Sequence, residues 1–300
     1  MAHGLMLLAA FIWGTTFIAQ TTGMETIGPM TFTSVRYIIG AVSVLPFAIF
    51  EMRRVSLWTE MKSDGRFAMK ALGLGVLMFG GIGLQQTALL YTDVANAAFL
   101  TALYVPAVPL ILWLVVRTPI GMRIWAALAL SVLGSWLLSG NADILQQWGD
   151  FLVGTGALFW AGHIILIGFV MGRLNAPFQL AVLQSVVCAL LAGIPMVTIE
   201  QPTFSDLMPV LPQLFYAGAL SVGIAYTLQL VAQAHASAVL AAFILSLESV
   251  FAALSGWVAL GQTLSLTALA GCTLIFLAVL VADVLPTGWF TRLLPARDRT

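Results

Sequence analysis

The sequence predicts an all-α polytopic membrane protein: ten transmembrane helices in two inverted-topology repeats of five, with both termini cytoplasmic. Three observations predict it. The first is composition. Of 300 residues, 61% are hydrophobic and only 8% charged, where a soluble domain carries about 25% charged residues. The second is segment length. Ten apolar stretches approach the roughly 20 residues that an α-helix needs to cross a hydrocarbon core. The third is where the cations stand. All Lys and Arg residues except Arg36 fall in, or at the border of, every second gap between these stretches. Cytoplasmic loops hold an excess of Lys and Arg because cationic side chains resist translocation. The alternation therefore carries an orientation as well as a count.

In chain order the stretches cover approximately 4–21, 29–50, 69–91, 94–116, 122–140, 150–171, 177–199, 209–232, 236–260 and 264–285. No Lys or Arg precedes the first, and Trp13 and the Thr15-Thr16 pair interrupt it, so it reads as a span and not as a cleaved signal peptide. The second gap holds Arg53, Arg54, Lys62, Arg66 and Lys70, and its segment 51–68 mixes Trp58, Met61 and Phe67 with the cations. That pattern predicts an amphipathic helix lying in the membrane interface. Only Thr92 and Asp93 separate the third and fourth stretches, which requires a sharp turn there. Arg117 and Arg123 fill the fourth gap, Arg173 the sixth, and Arg292, Arg297 and Arg299 the C-terminal tail. The eighth gap has only His235, and the ninth is a tight turn at Gly261 and Gln262. An even number of spans with these gaps inside puts both termini in the cytoplasm.

The halves, 1–140 and 141–300, resemble each other. Ala10-Phe11-Ile12-Trp13-Gly14 answers Ala157-Leu158-Phe159-Trp160-Ala161. Gln86 leads an Ala/Leu-rich run to Pro106, and Gln229 leads a similar run to Ser249. Five spans is an odd number, so the second half inserts upside down relative to the first. Inverted repeats of this kind characterise transporters that alternate access around a midplane site.

At these residues the chain resembles the drug/metabolite transporter superfamily, in its EamA type with ten helices. The resemblance rests on Ala10-Phe11-Ile12-Trp13-Gly14-Thr15-Thr16-Phe17, on Leu247-Glu248-Ser249-Val250-Phe251, and on the run from Gly256 to Ser265. The family usually shows Glu-Pro-Val and then Gly-Glu, where this chain has Ser249 and Gln262; a role for the family's second Glu does not carry over. Within the superfamily the pattern looks closest to bacterial amino-acid exporters of the YddG type. The resemblance implies a secondary transporter exporting small metabolites across the bacterial inner membrane by alternating access. Amino acids with aromatic, hydrophobic or threonine-like side chains are the implied substrates, and a drug or nucleotide-sugar carrier of the same superfamily is the alternative.

Charged side chains inside a bilayer are costly, at about 2.5–3.5 kcal/mol each on insertion scales. Arg36 and Glu248 lie well inside spans, whereas Asp93 and Asp283 stand near ends. At 1.5 Å per residue both are roughly 10–12 Å from the outer edge, in different halves. They either pair as a structural staple or face a cavity, Arg36 holding a carboxylate and Glu248 an ammonium group or a proton. Trp13 and Trp160 occupy matching near-midplane positions, as packing aromatics or as an apolar cavity wall. His163 follows Trp160 by three residues and shares its face, as a hydrogen-bonded structural group or a substrate contact. Gln85 and Gln86, and the Tyr226, Gln229 and Gln233 face, either bond between helices or line a path. Phe79 and Tyr104 complete the candidate substrate cavity, and Pro106 is a candidate hinge.

Other functions are disfavoured. The basic loops lack stacked aromatics suited to nucleic acid. No Gly-rich loop with Lys-Ser/Thr exists for ATP, and no His-Glu metal pair or Gly-x-Ser-x-Gly turn supports an intramembrane lipid-modifying enzyme. No cofactor or metal is expected, and Cys188 and Cys272 read as buried thiols. A pathway enclosed by one chain's own pseudo-twofold suits a monomer better than an oligomeric channel. The partners expected are a small-molecule substrate and the lipid bilayer.

Overall fold

The computed structural model describes residues 1–92, 94–117, 119–139, 148–261 and 264–283. Each of the ten predicted spans is helical. Spans one to three are Ala2–Gly23, Pro29–Glu51 and Gly65–Ala88. Span four is broken into Val94–Thr101, Tyr104–Ile111 and a π turn at Leu112–Val116. Span five, Met122–Leu138, is the shortest. Spans six to eight are Trp148–Arg173, Pro177–Glu200 and Phe204–Gln233. Span nine is broken into Ala238–Leu245 and Leu247–Leu260, and span ten is Leu266–Asp283. Asp93, the 140/141 boundary between the halves, Gln262 and the tail bearing Arg292, Arg297 and Arg299 lie outside the described residues.

The basic segment after span two forms a short helix, Leu57–Ser63. Leu57 is buried while Trp58 is exposed, its ring under the Lys62 ammonium at 5.0 Å. Asp64 then starts span three, its carboxylate accepting from the backbone N–H groups of Arg66 and Phe67. Gly261 closes span nine with φ of +65°, a left-handed conformation that glycine adopts without steric cost.

The exterior is apolar. Phe47, Phe50, Leu190, Ile194, Phe215 and Val258 are among the exposed large side chains, which is what a hydrocarbon solvent requires. Helix association in lipid depends on close contact between small residues. Spans five and ten cross at Gly134 and Gly271, where a Cβ on Gly134 would stand 2.8 Å from the Gly271 carbonyl oxygen. Cys188 is buried, but Cys272 is only half-buried, so one of the two thiols departs from expectation.

Contacts between gaps sort the loops onto two faces. Thr26 donates to the carbonyl of Asp206 at 3.0 Å, joining the first gap to the residues after span seven. On the other face Arg173 pairs with Glu60 at 2.6 Å and with Asp64 at 2.5 Å. His3 and Asp283, at 3.3 Å, bring the two ends of the ten-span run onto one side, as an even number of crossings requires.

Candidate functional site

A cavity of about 50 Å3 lies between the repeats. A buried water occupies roughly 10–15 Å3 on this measure, so the space suits a few waters or the polar part of a small solute. Both halves build it. Spans one to four contribute Trp13, Phe17, Gln20, Arg36, Tyr37, Ile82, Gln85, Thr101 and Tyr104. Spans six, eight and nine contribute Trp160, Ile164, Ser221, Val222, Tyr226, Gln229, Leu245 and Glu248.

Two of these helices are interrupted where they meet the cavity, and the interruptions match. Aligning Gln86 with Gln229 and Pro106 with Ser249 sets Leu103, in the span-four break at Ala102-Leu103, against Ser246, the span-nine break. In span four Pro106 has no N–H to give the Ala102 carbonyl, which instead accepts from Val105 at 3.0 Å. In span nine serines take that part. Ser249 donates to the Ser246 carbonyl from its backbone at 3.2 Å and from its hydroxyl at 2.8 Å. Ser249, the departure from the family's usual proline, thus stands at the same kind of break. Pro106 is therefore adjacent to a real discontinuity, just after it in the chain.

Tyr226 is the aromatic hub. Its ring lies 4.7 Å from that of Trp13, and it stacks on Trp160 at 6.2 Å with 17° between planes. Its hydroxyl accepts from Tyr37 at 3.3 Å. Trp13 is fixed by donating its Nε1–H to the Ser221 carbonyl at 3.2 Å. That carbonyl belongs to a ten-residue π-helical stretch, Tyr216–Ala225, where a π segment is normally a single turn found at functional sites.

Arg36 is 2% exposed, with its guanidinium 5.3 Å from the Phe32 ring centroid and 5.4 Å from that of Tyr37. Its Nε and Nη2 have no hydrogen-bond partner among the described residues. The ion pairs among those residues are His3–Asp283, Arg173–Glu60 and Arg173–Asp64. Arg36 and Glu248 therefore do not staple the halves together; they line one cavity from opposite repeats.

Six of the nine predicted cavity residues meet there: Trp13, Arg36, Tyr104, Trp160, Tyr226 and Glu248. Three do not. His163 is fully buried behind the wall, its Nε2 3.0 Å from Gln184 Oε1 and its ring edge-on to Trp160 at 5.8 Å. Gln86 turns away to the Gln20 carbonyl and the Met24 sulfur, and its neighbour Gln85 lines the cavity. Phe79 packs beside the Tyr37–Met78 core, outside the lining. Gln233 donates to the Ile164 carbonyl at 3.0 Å, an interhelical bond. Phe17 and Gln20 were readable as the same face as Trp13, four and seven residues on. Ser221 was not, because five-residue spacing to Tyr226 shares a face only where the helix widens to π geometry. Among the described residues no group of three or more His, Cys, Asp and Glu is placed to hold a metal ion.

A partly polar cavity at broken helices, between two five-span repeats, is the arrangement of a membrane transporter. The EamA-like transporter family matches twice, over residues 1–140 and 147–282, and the chain belongs to that family. A protein of Archaeoglobus fulgidus named "Uncharacterized transporter" is 31% identical over 277 residues, which are 92% of this chain and 84% of that protein. A crystal structure at 18% identity superposes with a TM-score of 0.75 over 94% of this chain and 98% of its own. At that identity it shows likeness of fold alone.

Proposed function

We propose that the protein is a secondary transporter that exports small zwitterionic metabolites, foremost amino acids with aromatic, hydrophobic or threonine-like side chains, across the bacterial inner membrane by alternating access. One observation carries the reading: Arg36 from the first repeat and Glu248 from the second line the same aromatic cavity without pairing to each other. A buried guanidinium with free donors is costly in a membrane, and a substrate carboxylate would satisfy it. Glu248 offers a counter-charge for an ammonium group. Tyr226, Trp13 and Trp160 supply flat apolar surface for a side chain. The cavity is complete within one chain, which supports transport by a monomer, and the face bearing Arg53, Arg54 and Arg173 is assigned to the cytoplasm.

The test is uptake of labelled amino acids into proteoliposomes, with and without a proton gradient, across a panel of side chains. Saturable uptake accelerated by unlabelled amino acid on the far side supports the proposal. Absence of uptake for every amino acid in the panel removes it.

A further inference from the structure

Spans two and seven are built alike from end to end. Each opens on a proline, Pro29 or Pro177, at the first turn, where a missing N–H costs nothing. Each has a second proline five residues before its end, Pro46 or Pro195, and each ends on a glutamate, Glu51 or Glu200. Span two has 23 residues and span seven 24. The extra residue of span seven lies between its two prolines, and the π turn Met196–Glu200 follows them.

The two helices run antiparallel, and each terminal glutamate caps the start of the other. Glu200 accepts from the backbone N–H of Met30 at 2.9 Å and of Thr31 at 2.6 Å, and from the Thr31 hydroxyl at 2.6 Å. A Cβ on Gly28 would collide with the Glu200 carboxylate, so glycine there makes room for it. On the opposite face Glu51 accepts from the Gln179 backbone N–H at 3.0 Å and from its Nε2 at 3.3 Å. Between the two ends the Ser34 hydroxyl donates to the Ala189 carbonyl at 3.0 Å. Carboxylates at helix N-termini meet both unpaired N–H groups and the positive end of the helix dipole.

We propose that Glu51 and Glu200 form a reciprocal clasp that keeps spans two and seven joined at both membrane faces throughout the transport cycle. The argument is one of symmetry, and it rests on the alternating-access reading. If the inward- and outward-open states arise by the two repeats exchanging conformations, every contact maps onto its counterpart in the other repeat. Spans two and seven are each other's counterparts, so the pair maps onto itself and the Glu51 cap maps onto the Glu200 cap. A gate has one end open while the other is closed. Here both caps are made in one structure, and the exchanged state then has both made as well. The clasped pair is thus a fixed frame that carries Arg36 and Tyr37, and Glu51 and Glu200 are positioning residues for the site.

The experiment uses full-length protein with Cys188→Ser and Cys272→Ser, and cysteine pairs at 31/200 and 51/179 joined by flexible, reducible thiol linkers. Both links are expected to form in the same molecule, and the doubly linked protein is expected to retain at least about half the amino-acid counterflow of its reduced form. In the otherwise native chain, Glu51→Ala and Glu200→Ala are each expected to shift the folding equilibrium about fivefold toward the unfolded form, the size of one lost helix cap. Links that form only one at a time overturn the clasp, whether or not transport is measurable. Counterflow that stops on double linking and returns on reduction also overturns it. If both links form together but the unmodified protein moves no amino acid, the functional reading falls and the clasp stands.

Discussion

Arg36 and Glu248 are where the chain's physical chemistry is least comfortable, and they are also where its chemistry is concentrated. A charge-assisted hydrogen bond contributes about 1.5–3 kcal/mol. Arg36→Gln and Glu248→Gln are therefore each expected to lower counterflow by about 10- to 100-fold while folded protein, measured by monodisperse yield in detergent, stays unchanged. Normal transport by both variants would remove these residues from the site. At this scale the sequence was legible where a residue was rare in its setting. A lone intramembrane Arg, a lone intramembrane Glu and two midplane Trp residues all reached the cavity. It was illegible where helix rotation decides. Gln85 and Gln86 point about 100° apart on an α-helix, and hydropathy does not set that angle. Likewise His163 shares the Trp160 face, yet Gln184 draws it behind the wall.

Elements, unlike side chains, were readable almost to their ends, because span length and loop charge are set by the bilayer itself. The breaks were half readable. Pro106 marks one directly, whereas Ser246 and Ser249 mark the other through hydrogen bonds that no hydropathy profile contains. If Ser249 stands in for a proline, Ser249→Pro keeps transport within about fivefold, losing one backbone bond worth about 1 kcal/mol. Ala253→Pro, one turn into the intact helix, costs about 3 kcal/mol or more and is expected to abolish folded yield. Equal damage from both would show that the break is not needed at that place. On the basic face, donation from Arg173, followed by the Phe67 and Arg66 N–H groups, holds the Asp64 carboxyl below its ordinary range. A depressed carboxylate contributes stability that is present above the unfolded value, about 3.9, and is lost as pH falls through the folded one. The melting temperature of the native chain should exceed that of Asp64→Asn at pH 6, with the gap closing below about pH 4. A gap that persists unchanged at pH 3 would contradict the assignment.

At the scale of the whole molecule, the parity of the cations, the five-plus-five helix count and the matched breaks agree. Each was expected from the sequence except the break at Ser246, which rests on local serine hydrogen bonds, and the reciprocal capping of spans two and seven, which depends on contacts between residues more than a hundred positions apart. On the proposed alternating-access reading, a chamber shared by two inverted repeats opens to one side at a time. The most direct measurement is labelling of Ser221→Cys, in a chain with Cys188→Ser and Cys272→Ser, by a membrane-impermeant thiol reagent added to either side of sealed vesicles. The account predicts labelling from each side, with substrate on one face shifting reactivity toward one side at the expense of the other. Equal and simultaneous reactivity from both sides would indicate a channel, and reactivity confined to one side under every condition would contradict alternating access.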